Sequence, residues 1–141
     1  MTAAAAIATA VVFTWLGMVL AISFLEAPLK FRAPGVTVRI GLGIGRLVFR
    51  ALNIAEVIFA AALIAAACAG PPAAGVVAAG AVAIAALALQ LALVRPRLNR
   101  RSDRVLAGQD APRSSAHHAY IALELVKVIA LLAAGVLLLA R

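Results

Sequence analysis

Four nearly uncharged, apolar stretches set the rhythm of the chain: about Ala3 to Leu25, Ala51 to Ala69, Ala73 to Val94 and Ala119 to Ala140. A bilayer span takes about 20 mostly apolar residues, and each stretch is long enough. The turn between the second and third, Ala69 to Pro72, is so short that these spans form an antiparallel hairpin. The pattern predicts an all-α fold, a four-helix transmembrane bundle of antiparallel up-down topology. Little chain is left over, so residues 1–141 read as a single integral membrane domain. The first stretch lacks the basic residues that precede a cleaved signal, and it is longer than the usual apolar region of about 7 to 15 residues. It reads as a retained span.

Composition agrees with that pattern. Apolar residues make up 66% of the chain and charged residues 13%, whereas soluble domains run near 45 to 50% and 25%. The net charge of +8 would suggest a nucleic-acid partner on a soluble surface, but its distribution points elsewhere. Lys30, Arg32, Arg39, Arg46 and Arg50 lie between the first two spans; Arg95, Arg97, Arg100, Arg101, Arg104 and Arg113 lie between the last two. The opposite side has only the Gly70-Pro71-Pro72 turn, an uncharged amino-terminal segment and Arg141. The positive-inside rule then places both basic loops in the cytoplasm and both termini outside, in an inner (plasma) membrane. Attraction to the anionic head groups of the lipid bilayer accounts for the charge. Neither loop interleaves aromatic with basic residues, so no nucleic-acid partner is expected.

Small residues crowd the second and third spans, with Gly75, Ala79, Ala83 and Ala86 at helical spacing. Such strips let helices approach closely in lipid, or form a contact within a homo-oligomer or a larger membrane complex. The first basic loop opens with Pro28 and Pro34, and Gly41, Gly43 and Gly45 alternate before the second span. It lacks the Gly-Lys-Ser/Thr ending of a phosphate loop and the glycine spacing of a dinucleotide fingerprint, and reads as a helix start at the membrane surface. The second basic loop holds Gly and Pro, with a short helical turn expected around Arg100 to Leu106. The lone Cys68 has no partner for an internal disulfide and reads as a small apolar residue.

Polar residues inside the spans carry the candidate chemistry. Taking about 100° per residue, His117, Tyr120, Glu124 and Lys127 fall within roughly 80° on one face of the fourth helix. Arg46, Arg50, Asn53 and Glu56 fall within roughly 120° on the second. At about 1.5 Å per residue, Glu56 lies roughly 9 Å beyond Arg50, and Glu124 and Lys127 roughly 9 and 14 Å beyond His118. The stripes therefore reach the same depth. Gln90, Ser23 and Glu26 belong to the same half, while the other half has little besides Thr9 and Thr14. A polar cluster of Asn53, Glu56, Gln90, Glu124 and Lys127 is expected, with Arg46, Arg50, His117 and Tyr120 secondary to it.

Glu124 and Lys127 stand at i and i+3, where acid and base touch. Glu56 remains as an additional acid, to be protonated, to share Lys127, or to pair with Arg46 or Arg50. Intramembrane ionisable residues are functional candidates by default, but buried ion pairs also act as glue and register devices between helices. Three readings of the cluster stay open: structural glue, a ligand site open to the cytoplasmic side, and a proton or ion relay. The apolar outer half disfavours a channel. His117 and His118 have no carboxylate or Cys at ligand spacing, so they read as a cap or interface rather than a metal or haem site. No catalytic residue, cofactor or metal is indicated.

Over "WLGMVLAISFLEAPLKFRAPG" and "GIGRLVFRALN" the chain resembles the transmembrane-protein-205-like family of four-span membrane proteins, a domain of unknown function. Trp15-Leu16-Gly17, Phe24, Ala27-Pro28-Leu29 and Phe31 carry the likeness, followed by Gly45-Arg46-Leu47, Phe49 and Asn53, then Pro96 and His118. The resemblance implies the four-span topology; animal members of the family are associated with drug resistance and trafficking, and it has no established catalytic chemistry. "RLVFRALNIAE" is also similar to the start of the second helix in the membrane-associated eicosanoid and glutathione metabolism family, where an Arg-Ala, an Asn and a Glu help bind glutathione between subunits. Arg50-Ala51, Asn53 and Glu56 match in type, but only one residue separates Ala51 from Asn53 instead of two. The leading expectation is a non-enzymatic protein that uses the polar cluster in the cytoplasmic half of the bundle to hold the polar end of a small amphipathic ligand or lipid, or takes part in its transport. A glutathione-dependent membrane enzyme and a structural subunit of a larger complex are the alternatives.

Overall fold

The computed structural model describes residues 1–141, the whole chain. It is a bundle of four helices with no strand: α1 (Ala3–Arg32), α2 (Val38–Ala69), α3 (Ala74–Leu106) and α4 (Ser115–Leu139). All four are long and apolar enough to cross a membrane. At 32 and 33 residues, α2 and α3 are each about 48 Å long, well beyond a hydrocarbon core of about 30 Å. The apolar stretches are thus windows inside longer helices, whose basic ends continue past the bilayer core. The short helical turn expected near Arg100 to Leu106 is the end of α3 itself.

Three helices begin on the signals that the sequence offers. Side-chain oxygens of Thr2, Thr37 and Ser114 accept from the backbone N–H of Ala5, Ile40 and Ala116 at 3.1, 3.2 and 3.3 Å, which satisfies donors that the first turn would leave free. The cap of α4 is therefore Ser114, not His117 or His118. Gly35 and Gly108, with φ of 81° and 84°, turn the chain at the basic end in a conformation that only glycine adopts easily.

Two prolines that look like helix stops are bridged. Pro28 lies in α1 and Pro96 in α3, and each comes two residues after a π-helical segment, Leu20–Glu26 and Gln90–Val94. A proline has no N–H for the carbonyl four residues back and its ring collides with it. Those carbonyls, on Phe24 and Ala92, lie inside the π segments. The wider turn carries the helix on, with the N–H of Ala27 donating to Ile22 and that of Arg95 to Gln90.

Packing is inverted relative to a soluble protein. Large apolar side chains such as Ile58, Leu93, Ile129 and Leu139 are exposed around the outside, whereas Glu56, Gln90, Glu124 and Lys127 are among the most deeply buried side chains. An apolar core of Val12, Trp15, Val19, Leu63, Ala83, Leu87, Leu131 and Leu138 fills the bundle beside them. α1 packs on α2 and α4, and α3 packs most extensively on α4. Gly135 lets the Phe13 ring approach so closely that a Cβ there would lie 2.6 Å from it. The expected small-residue strip also serves α4: Ala83 and Ala86 are buried, and a Cβ on Gly75 would meet Leu137 at 3.2 Å.

The expected hairpin forms, with little contact between its arms. α2 and α3 are antiparallel and joined by the short turn, but between that turn and residues 95–106 of α3 they touch only sparsely. The bundle is a ring with one open seam, and the seam lies between these two helices.

Candidate functional site

The deepest polar feature is a closed network at the level of the two π segments. Lys127 Nζ lies 2.5 Å from Glu56 Oε2 and 2.6 Å from Glu124 Oε1, and donates to Gln90 Oε1 at 2.7 Å. The three donors of the ammonium thus meet three acceptors on α2, α3 and α4. Gln90 Nε2 donates in turn to Glu124 Oε1 at 3.2 Å and to the Tyr120 carbonyl at 3.4 Å. From α1, the Trp15 indole N–H donates to Glu56 Oε2 at 2.8 Å and Ser23 Oγ to Glu124 Oε2 at 2.5 Å. All four helices are tied at one depth.

This network is fully buried: Glu56 and Lys127 are 0% exposed, Glu124 1% and Gln90 2%. Its chemistry is that of a fixed counter-charge, because the one cation is held by two carboxyls and an amide and no face is open to a ligand. Of its polar atoms, only Glu56 Oε1 has no hydrogen-bond partner. Glu56, left as an unassigned acid by the sequence, shares Lys127; Arg46 and Arg50 do not reach it.

A second polar feature lies in the seam. A cleft of about 630 Å³ between α2 and α3 is lined by Arg46, Phe49, Arg50, Asn53, Ile54, Val57, Ile58, Leu91, Arg95 and Asn99. Its volume is in the range of small-molecule pockets, about 300 to 1,000 Å³. The lining is graded along the helices: guanidinium and amide groups at the basic end, aliphatic groups toward the bilayer core. Arg46 pairs with Asp103 of α3. Arg50 is exposed, and neither Arg50 nor Arg95 has a carboxylate within 4.0 Å.

Arg95 is the unusual member. Its guanidinium sits between two rings, 5.1 Å from the centroid of Phe49 and 4.7 Å from that of Tyr120, and those rings meet edge to face at 5.8 Å. Stacking on aromatic faces suits a planar, weakly hydrated cation. Yet Nε and Nη2 of Arg95 and the hydroxyl of Tyr120 are buried with no hydrogen-bond partner. Buried donors are nearly always paired, and an unpaired one costs about 1 to 3 kcal/mol, more when charged. Chemically, the cleft offers an anion two uncompensated guanidinium groups, with two amides beside them.

The five residues expected to form one cluster are therefore divided. Glu56, Gln90, Glu124 and Lys127 come together; Asn53 does not join them, but is half-buried in the cleft with Arg46 and Arg50. The reason is angular. Asn53 and Glu56 differ by about 60° around α2, enough to turn one toward the seam and the other toward α1 and α4. Arg50 and Asn53 thus face a different space from Glu56, which takes apart the Arg, Asn and Glu set that the glutathione-binding resemblance would need on one surface. Tyr120 stands between the two features, its carbonyl in the network and its ring on Arg95. His117 is half-buried and His118 exposed; they contact each other edge to face at 5.8 Å and join neither feature.

Trp15, Arg95 and Asn99 join these features although the pattern of polar positions in the spans does not mark them. Trp15 had a signal: it is the one Trp and falls inside a span, whereas Trp favours the interface and needs a partner for its N–H when buried. Compared with protein-family models, with curated proteins and with solved structures, the chain matches none.

Proposed function

We propose that this multi-pass membrane protein is a non-enzymatic binding protein that seats the acidic end of an amphipathic molecule in the cleft between α2 and α3, with the basic end of the bundle in the cytoplasm. The observation that carries this reading is Arg95, a cation held between Phe49 and Tyr120 with unpaired donors beside the cleft. Arg50 adds a second uncompensated charge, and Asn53 and Asn99 add amide donors. The inner network supports the reading indirectly: Lys127 answers both Glu56 and Glu124 and the network ties the four helices together, which leaves the seam as the place where an outside molecule meets polar groups.

The test uses the full chain in phosphatidylcholine nanodiscs and a fluorescent alkyl phosphate as probe. Arg95→Gln is expected to weaken binding about tenfold or more, as loss of a charge-assisted contact requires, and Arg50→Ala less. Unchanged binding in both variants would overturn the reading. For orientation, single cysteines placed at Arg100 and at Thr2 in a Cys68→Ala background are expected to react with an impermeant thiol reagent from opposite sides of the membrane. Labelling of position 100 from outside would reverse the assignment.

A further inference from the structure

The seam continues beyond the cleft. Toward the turn end lies a second cavity, about 390 Å³, whose walls include Leu63, Ile64 and Ala67 of α2 and Val77, Gly80 and Ile84 of α3. Ala8 and Val12 of α1 and Ala134 of α4 stand behind it, and Gly70, Pro71 and Pro72 close it at the turn. Between the two cavities helical phase puts Ala61 in line with Val57 and Ile64, and Ala88 in line with Ile84 and Leu91; both alanines are exposed and offer no more than a methyl group each. From Arg95 to Val77 the distance along a helix is about 27 Å, close to the thickness of the hydrocarbon core. The seam is thus cationic at the Arg50 and Arg95 end, and its far cavity, bounded by the turn, is lined mostly by apolar side chains with Thr2 and Arg141 among them.

We infer that the occupant of the seam is a phosphate monoester carrying one long hydrocarbon chain, with its head at Arg50 and Arg95 and its chain running past Ala61 and Ala88 into the cavity beside the turn. This rests on the proposed function and specifies its ligand. The charge count selects the head. Asp103 compensates Arg46, so Arg50 and Arg95 remain, and two guanidinium groups balance a phosphate monoester of charge about −1.5 to −2; a carboxylate would leave one of them uncompensated. Guanidinium geometry also matches phosphate oxygens, which accept in forked pairs. The shape selects the tail. The seam is a single apolar path between two helices tied by the turn Gly70-Pro71-Pro72, and one chain is assigned to it.

The experiment separates this inference from the reading beneath it. Octyl, dodecyl and octadecyl phosphate, octadecanoate and a two-chain phosphatidic acid are titrated at equal mole fraction into nanodiscs holding the wild type, Arg95→Gln, or Ala61→Phe with Ala88→Phe, and the bound fraction is read by native mass spectrometry. Both alanines are exposed, so the phenylalanines narrow the seam without replacing a buried core residue. The wild type should hold octadecyl phosphate about tenfold or more tighter than octyl phosphate. In the double phenylalanine variant that preference should vanish while octyl phosphate still binds. Octadecyl binding unaffected by the phenylalanines, or a two-chain phosphatidic acid bound as tightly as octadecyl phosphate, would overturn the single-chain assignment and leave the cleft intact. Equal binding of octadecanoate would overturn the phosphate assignment. Binding of every phosphate unchanged in Arg95→Gln would sink the cleft reading itself.

Discussion

Glu56 and Arg50 stand less than two turns apart on α2, yet they show two ways to keep a charge in a membrane. Glu56 faces the interior, where Lys127 and the Trp15 indole both reach its Oε2. Arg50 faces the seam, where no carboxylate answers it. Around Glu56, donors and acceptors from four helices are matched almost atom for atom. Around Arg95 the rings of Phe49 and Tyr120 hold the cation in place and leave its donors unpaired. A matched set of polar groups holds helices together and has little capacity left for anything else. An unmatched set, kept rigid, is what a binding site requires, since its orientation is fixed before the ligand arrives.

The contrast breaks most visibly at Lys127. Lys127→Met removes the one cation of the network and leaves Glu56 and Glu124 buried beside each other. Loss of one partner of a buried pair costs about 3 to 5 kcal/mol, so the variant is expected to accumulate poorly or to melt far below the wild type in nanodiscs. Combining it with Glu56→Gln and Glu124→Gln should restore much of that loss, because no unpaired charge then remains. A Lys127→Met protein as stable as the wild type would show that the network does not hold the bundle.

Trp15→Phe is the intermediate case. It keeps the aromatic bulk beside Phe59 and removes only the N–H that donates to Glu56. A hydrogen bond to a charged group contributes about 1.5 to 3 kcal/mol, so a lower melting temperature is expected, with alkyl phosphate binding unchanged. If binding in the seam fell as much as stability, the two polar features would be one coupled site rather than two.

How far these features could be read from the sequence differs between them. The common depth of Glu56, Glu124 and Lys127 follows from counting residues from the basic ends, and Gln90 joins by the same count. The spans, too, stand out by apolarity. Asn53 was misplaced because a stripe about 120° wide covers more than one neighbour once the helices pack. Trp15 and Ser23 were not tied to particular carboxylates, because the register of α1 against α2 and α4 is a tertiary fact, and Ser23 sits in a π segment that shifts the helical phase. Arg95 was hidden by Pro96: a proline ordinarily marks the end of a helix, so the residues from Arg95 onward read as loop. The π segment that carries α3 through begins at Gln90, and no local pattern announces it. The seam depends on α3 choosing α4 over α2, and alanine and glycine strips allow both.

The smallest expected effect lies at the mouth of the seam, and it sharpens the comparison in the opposite sense from Lys127. Arg46 and Asp103 form a pair that is substantially exposed, with side-chain exposures of 42% and 57%, and such pairs contribute under about 1 kcal/mol to stability. Asp103→Asn should therefore leave the melting temperature almost unmoved, whereas loss of a carboxyl's partner in the interior is severe. What changes is the charge of the cleft. Arg46 loses its counter-charge beside Arg50 and Arg95, and a third guanidinium becomes available to an anion. Alkyl phosphate binding measured at low salt should tighten by a few-fold and lose that gain as ionic strength rises, since contacts near the surface are screened within about 10 Å at 0.1 M salt. Weaker binding in Asp103→Asn would mean that Asp103 holds Arg46 in a pose that the ligand needs, and that the cleft is preorganised by an ion pair as the interior is.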